Sequence, residues 1–263
     1  MYHTGAGAAS VRAGGDGTGC ATGARFGPTF IARGHLMGDL LGFVSSVPHL
    51  LMENKDGSVS SLVEDMPVQG EPLAVELVNT TFVKGGLRGH LVDVLTCPEE
   101  LLAWLRSRSW DLGPNVVEGL AGKGVSDADV DHFRQLRQAL RDLFTAETAT
   151  ATGTATWPDH AIQIVNNAVR GATQWRELST AAPERSVTVW SSPDWAVAAL
   201  SHVAASGVAL LSGQQRSLLR ACRAPGCILF FVQNHARREW CSAECGNRAR
   251  VARHSRRQRD GSS

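Results

Sequence analysis

The chain has 263 residues, of which 43% are hydrophobic and 19% charged, and its formal net charge at pH 7 is +1. These values are ordinary for a globular protein and exclude a chain that is disordered throughout. The apolar stretch at 35–52 is interrupted by polar residues and is short for a membrane span, and no signal peptide is visible. We therefore expect a cytoplasmic protein that does not enter a membrane and whose cysteines are reduced.

Residues 1–70 are predicted to be a low-complexity, disordered N-terminal extension. Their first half is rich in Gly, Ala, Ser and Thr and has no apolar period. The run GGDGTG has the composition of a phosphate-binding loop, but it follows no strand and precedes no helix start. We find no chemistry in this extension that supports a functional site.

Residues 71–213 are predicted to form a mainly α-helical domain with orthogonal helices and one small β-hairpin. Leu73–Thr80 is predicted as a helix or an extended segment, and the glycine-rich 81–90 as a loop. Cys97 and Pro98 begin the next helix, with Pro in its first turn, and 111–125 is predicted as another loop. Ser126 and Asp129 resemble a capping box that starts a longer helix.

Three arginines on that helix, Arg134, Arg137 and Arg141, lie off its apolar face. They have the spacing of an anion site, but a solvated helix face that pairs with acidic neighbours is the favoured interpretation. Further along, 175–180 and 186–190 alternate as a hairpin does. The segment Asp194–Leu211 is nearly all small and apolar and is predicted to be the central buried helix.

Residues 214–263 contain four of the six cysteines of the chain. Four residues separate Cys222 from Cys227, and three separate Cys241 from Cys245, which are spacings typical of structural zinc ligands. Disulfides or core cysteines are the alternatives, but disulfides are rare in a reducing compartment. We therefore predict one structural zinc ion bound by these four thiolates, and we expect Trp240 to cover the site.

The same end of the chain is strongly basic. Residues 215–263 contain eleven arginines against three acidic residues, which gives this segment a net charge of +8. A helix that begins near the fourth cysteine would carry most of them, and arginine binds phosphate in a bidentate manner. The predicted nucleic-acid contacts are Arg237, Arg238, Arg248, Arg250, Arg253, Arg256 and Arg257.

The run WCSAECGNRARVARHSRR, with CGNR at 245–248, resembles the CGNR zinc-finger family. The resemblance implies that Cys222, Cys227, Cys241 and Cys245 bind zinc and that the finger binds DNA. In that family the finger usually follows an N-terminal ABATE domain, described as a putative stress-induced transcription regulator. LAVELVNT and DVLTCPEELLAWL, at 73–80 and 93–105, resemble that domain.

The predicted architecture is thus a helical domain followed by a zinc-ribbon-like finger with a basic terminal helix. We expect a zinc-dependent DNA-binding protein that regulates transcription and possesses no enzymatic activity, since no open metal site, nucleophile motif or carboxylate pair is placed by the sequence. A structural zinc module that binds protein or RNA is the alternative. The helical domain is the expected site of homodimerisation or of an effector whose identity the sequence does not indicate.

Overall fold

The computed structural model describes residues 61–149, 156–180 and 185–260, and within these ranges the chain is mainly helical, with three two-stranded antiparallel sheets. The predicted fold class is therefore confirmed. The helices are α1 Ser61–Glu64, α2 Leu73–Val78, α3 Pro98–Ser107, α4 Ser109–Leu112, α5 Pro114–Lys123, α6 Asp127–Ala149, α7 Asp159–Arg170, α8 Trp195–Ser212 and α9 Ala243–Asp260. The strands are β1 Thr81–Lys84, β2 His90–Asp93, β3 Gln174–Leu178, β4 Ser186–Trp190, β5 Leu219–Ala221 and β6 Phe230–Val232.

One hydrophobic core runs through both predicted domains. Leu77 of α2 and Phe144 of α6 belong to the same buried cluster as Phe230 and Phe231 of β6. The rings of Phe144 and Phe230 meet edge to face with their centroids 5.6 Å apart. Residues 71–213, hereafter the helical segment, and 214–263, hereafter the finger, therefore bury apolar surface against each other.

The predicted disordered extension differs from the structure over 61–70, while 1–60 lie outside the described residues. α1 begins at Ser61, and Val63, Met66 and Val68 are buried in the core. These apolar side chains were overlooked because polar and acidic residues surround them in the sequence. Their burial makes this short stretch part of the folded core.

The predicted loop at 81–90 is wrong, because the chain forms a hairpin there. β1 and β2 pair antiparallel, with Thr81 opposite Asp93 and Lys84 opposite His90. The glycines between the strands form the turn. A Cβ on Gly89 would lie 2.1 Å from the carbonyl oxygen of Lys84, so no other residue fits.

The predicted loop at 111–125 is also wrong, because it contains the end of α4 and the whole of α5. Gly113 separates the two helices with a φ of 84°, and Pro114 occupies the first turn of α5. Gly119 lies within α5 and against the indole of Trp195, and a Cβ there would be 2.2 Å from Trp195 Nε1. This glycine permits close helix packing.

The capping box at the start of α6 is present. The backbone N–H and the hydroxyl of Ser126 both donate to Asp129, at 2.8 and 2.7 Å, and the Asp129 N–H donates back to the hydroxyl at 3.3 Å. Asp accepts here as Glu does in the usual box. The long helix therefore starts where the sequence predicts.

The three arginines on α6 are not simply solvated. Arg137 pairs in bidentate fashion with Asp93 at 2.6 and 2.7 Å, and Arg134 donates to the carbonyl of Leu95 at 2.8 Å. Arg141 donates to the carbonyl of Val78 at 2.6 Å. They bind the loops around β1 and β2 to the long helix, because these loop carbonyls need donors once they are covered.

α8 is the predicted central helix. Asp194 caps it by accepting from the N–H groups of Ala196 and Val197 at 3.0 and 3.3 Å. By length and composition α8 is the one helix among the described residues that would suffice to cross a membrane, but half of it is buried in the protein. It packs on α2, α5, α6 and α7, as a core helix does.

The hairpin predicted at 175–180 and 186–190 is present as β3 and β4, and Trp175 pairs with Val189. Most of its turn, 181–184, and most of the loop predicted at 148–156 lie outside the described residues.

The finger contains a third hairpin, β5–β6, in which Arg220 lies opposite Phe231. Only one edge of β6 faces β5. The other edge, here called the outer edge, is bound by side chains of the helical segment. Asn79 donates to the carbonyl of Phe230 at 2.8 Å and accepts from its N–H at 3.0 Å. Glu71 accepts from the N–H of Val232 at 2.9 Å.

Arg141 completes this arrangement by donating to the carbonyl of Ile228 at 3.0 Å. Asn79 is 1% exposed and Glu71 8%, so the bonds that these two side chains make to β6 are shielded from water. A buried strand edge without partners would leave several backbone groups unsatisfied, each at a cost of about 1–3 kcal/mol. The helical segment thus supplies the partners that a further strand would otherwise provide.

We predict that Asn79→Ala lowers the free energy of unfolding by about 3 kcal/mol, because it leaves the buried N–H and carbonyl of Phe230 unpaired. Urea unfolding followed by circular dichroism measures this. The matched control is Asn167→Ala on the exposed side of α7, with an expected change within about 0.5 kcal/mol. Equal stability of the two variants would refute the assignment.

Candidate metal centre and basic helix

The first cysteine pair lies on a tight turn that follows β5. The N–H of Cys222 donates to the carbonyl of Leu229 at 2.8 Å, which continues the β5–β6 ladder to the first sulfur. The N–H of Cys227 donates to the carbonyl of Ala224 at 3.0 Å and closes the turn. Gly226 has a φ of 73°, a conformation that favours glycine. The local sequence therefore brings both sulfurs to the same side of the hairpin.

The second pair lies at the start of α9. The hydroxyl of Ser242 accepts from the N–H of Cys245 at 3.3 Å, as an N-cap side chain does. Cys241 immediately precedes this cap, and Cys245 lies in the first turn of α9. The helix start and the second pair are thus one structural unit, as the sequence predicts.

The four sulfur atoms of Cys222, Cys227, Cys241 and Cys245 all lie within 4.8 Å of one another. The Cys227–Cys241 distance is 3.7 Å and the Cys241–Cys245 distance 3.4 Å. With Zn–S bonds of about 2.3 Å, the sulfurs of a tetrahedral site stand about 3.8 Å apart. The donor set and its spacing therefore fit one zinc ion, and we propose these four cysteines as its ligands.

The electrostatics of the cluster favour a bound cation. The hydrogen bond with the thiol of Cys222 raises the pKa of Cys227 and of Cys241, while the pKa of Cys222 is lowered by hydrogen bonds from the other thiols, first that of Cys227. Four thiolates at this separation repel one another strongly. A bound divalent cation removes this penalty and leaves all four deprotonated.

Arg248, the last residue of the CGNR run, is partly buried and is directed at the cluster. Its Nη2 donates to Cys245 Sγ at 2.9 Å, and its Nε is buried without a hydrogen-bond partner among the described residues. Its side chain also lies against Gly86 in the β1–β2 turn. A cationic donor beside a ligand sulfur stabilises the thiolate and orients it.

Trp240 is half-buried and packs on the helix start. A Cβ on Gly246 would lie 3.0 Å from Trp240 Cδ1, so the glycine of the CGNR run gives the ring its place beside Cys245. The expectation that Trp240 shields the site agrees with this position.

Arg238 is also partly buried and binds other residues of this protein. It pairs with Glu71 at 2.6 Å, donates to the carbonyl of Val232 at 3.0 Å and lies over the ring of Phe231 at 4.9 Å. Of the seven arginines predicted to contact nucleic acid, Arg238 and Arg248 therefore support the finger itself. The other five are exposed, and they are Arg237, Arg250, Arg253, Arg256 and Arg257.

The exposed arginines of α9 fall on different faces of the helix. Cys245 and Ala249 are buried, and the stripe that they begin continues at helical spacing to Arg256. Arg250, Arg253 and Arg257 share another face, since they are three and four residues apart. The first turns of α9 therefore pack on the protein through the stripe that contains Cys245 and Ala249. A row of exposed arginines lies on a separate face of the helix.

The sequence does not predict the side chains of the helical segment that bind the outer edge of the finger. They are Glu71, Asn79 and Arg141. Nothing in their local spacing marks them, because they are more than eighty residues from the strand that they bind. For Asn79 the available signal was its position in the otherwise apolar run LAVELVNT, and for Arg141 it was the row of arginines on α6. A polar residue in a buried helix needs a partner, and here the partner is a strand edge.

Comparison with known families agrees with both parts of the structure. The family model ABATE, described as "Putative stress-induced transcription regulator", matches residues 71–214, which is more than half of the chain. The family model for the CGNR zinc finger matches residues 219–258 and includes all four cysteines. No curated protein matches the chain.

We predict that Cys222→Ser or Cys245→Ser reduces bound zinc from one ion per chain to none and lowers the melting temperature of the whole protein. Zinc binding contributes roughly 10–16 kcal/mol to the folding of isolated fingers, and here the finger shares its core with the helical segment. Metal analysis and thermal unfolding measure both effects. A serine variant that keeps one zinc ion per chain would refute the ligand assignment.

A second prediction concerns Arg248. Arg248→Ala is expected to weaken zinc binding about 10- to 100-fold, because the Cys245 thiolate loses its donor. Competition with a chromogenic chelator measures the affinity. Arg250→Ala, two residues further along the same helix and exposed, serves as the control with unchanged zinc affinity. Equal affinities for the two variants would show that Arg248 does not support the metal site.

Proposed function

The chain belongs to the ABATE family and carries a CGNR zinc finger, and from this premise we propose that it is a zinc-dependent DNA-binding protein that regulates transcription. The two families are those of a regulator and a zinc finger, and the finger holds one structural zinc ion. DNA binding is the further step that we propose.

The observation that carries the proposal is the way in which α9 begins. Cys241 and Cys245 bracket its N-cap, so binding of zinc by the four cysteines fixes the position of the first turn. Arg250, Arg253 and Arg257 then follow on one exposed face. A row of guanidinium groups on a rigid helix is suited to phosphate oxygens and to guanine edges.

Five arginines remain for this contact once Arg238 and Arg248 are assigned to the finger's interior. Arg250, Arg253 and Arg257 are the proposed principal contacts. Arg237 lies in the exposed segment before Trp240, and Arg256 lies on the stripe that continues the buried face of α9. We propose that these two bind flanking phosphates, which position the protein without reading sequence.

In this mechanism zinc supplies a closed, four-coordinate crosslink between the two cysteine pairs. A shell filled by four thiolates leaves no position for a substrate, so we propose no catalytic role for this centre. A cytoplasmic location, which we also propose, keeps the thiolates reduced and available to the metal.

Homodimerisation through the helical segment stays a prediction. Trp110 and Leu178 of this segment are 95% and 93% exposed, so apolar surface is available there. Light scattering after gel filtration tests the oligomeric state.

We predict that replacing Arg250, Arg253 and Arg257 together by Ala weakens binding to mixed-sequence duplex DNA by on the order of tenfold or more. The slope of log affinity against log salt should fall by about 2.7, since each phosphate contact contributes roughly 0.9. Fluorescence anisotropy at several salt concentrations measures both quantities. Chelation of zinc is expected to abolish binding.

The matched control replaces Arg170, Arg176 and Arg185, three exposed arginines of the helical segment, and removes the same charge. If the two triple variants bind DNA equally, the face of α9 is not the interface. Weak binding with a shallow salt slope in the parent protein would favour a protein partner, and tighter binding of single-stranded RNA would favour RNA.

A further inference from the structure

The row of exposed arginines on α9 starts beside Trp240. Gly246 precedes Arg250, Arg253 and Arg257 by four, seven and eleven residues, so all four residues share one side of the helix. A Cβ on Gly246 would lie 3.0 Å from Trp240 Cδ1. The indole of Trp240 therefore lies on the arginine side of α9, at the end of the helix that carries the metal ligand.

Trp240 also lines a cleft, here called the basic cleft, where the finger meets the last turn of α6. Four arginines and two glutamates line the cleft, which gives its wall a net formal charge of +2. They are Arg216, Arg220, Arg223, Arg238, Glu147 and Glu239. Because Trp240 belongs both to this wall and to the arginine side of α9, the basic cleft adjoins the start of the arginine row.

Two of the four arginines in the cleft are available to an anion. Arg216 and Arg238 already pair with carboxylates, at 2.7 and 2.6 Å. Arg220 and Arg223 are exposed and form no ion pair in the part of the chain that the structure describes. Their charges are therefore not compensated by a carboxylate of the protein.

The guanidinium group of Arg220 is held in place by its own hairpin. Its Nη1 donates to the carbonyls of Ser217 and Leu219, at 2.7 and 2.9 Å. Arg220 lies opposite Phe231 in the β5–β6 pairing, so both side chains lie on the same face of the hairpin. A guanidinium fixed in this way loses less conformational freedom when it binds a phosphate.

We propose that the basic cleft is a second part of the nucleic-acid interface, in which Arg220 and Arg223 bind backbone phosphates of the duplex that the arginine row of α9 contacts. This rests on the function proposed above and extends the interface from α9 to β5 and the first cysteine turn. Arginine binds phosphate in a bidentate manner, and such contacts fix the orientation of a protein on the duplex.

Replacing Arg220 and Arg223 together by Ala should weaken binding to mixed-sequence duplex DNA on the order of tenfold and lower the salt slope by about 1.8, since two phosphate contacts are lost. Fluorescence anisotropy at several salt concentrations measures both quantities, and one zinc ion per chain shows that the finger is intact. The matched control replaces Arg170 and Arg176, two exposed arginines of the helical segment, and should keep the parental slope.

Glu239 gives a test of opposite sign. It is exposed, lines the basic cleft and forms no ion pair among the described residues, so its carboxylate repels a phosphate there. Glu239→Gln should therefore strengthen DNA binding roughly threefold. Glu118→Gln on the exposed side of α5 removes the same charge and should leave the affinity unchanged. Equal affinities of these two variants would contradict the proposal.

The outcomes separate this proposal from the proposed function. If the double variant of Arg220 and Arg223 binds DNA like its control while the α9 triple variant loses affinity, the cleft is not a contact and the proposed function stands. Weaker binding with the parental salt slope would also overturn the proposal, because no phosphate contact would have been lost. If the parent protein binds no nucleic acid, both fail.

Discussion

The outer edge of β6 is the constraint on which the rest of the structure depends. A three-residue strand with a single partner strand cannot satisfy its own backbone when it is buried. Asn79 imitates the pairing of a neighbouring strand by offering both a donor and an acceptor to Phe230. Glu71 and Arg141 extend the pairing in both directions. The finger is therefore completed by the helical segment.

The same contacts connect the metal centre to the helical segment. Glu71 accepts from the N–H of Val232 and also pairs with Nη2 of Arg238, and the same Nη2 donates to the carbonyl of Cys241 at 3.2 Å. Two side chains therefore join the ABATE part of the chain to the backbone of a proposed zinc ligand.

The sequence predicts the features that depend on local chemistry. The spacing of the cysteines, the capping box at Ser126 and the apolar composition of α8 each determine their structure within a few residues. The features that were missed depend on distant partners. Glycines at 86 and 119 have the pattern of loops, but their role is to admit Arg248 and Trp195 from elsewhere in the chain.

Charge counts have the same limitation. A net charge of +8 over 215–263 indicates a polyanion partner, but it does not separate arginines that bind nucleic acid from those that hold the finger together. Arg238 is paired with a buried carboxylate and Arg248 with a ligand sulfur, so neither charge is available to a phosphate. Arg250, only two residues beyond Arg248, is exposed. The helical period that separates Arg248 from Arg250 divides the arginines of α9 into those that support the finger and those that are exposed, and only the fold shows where that division falls.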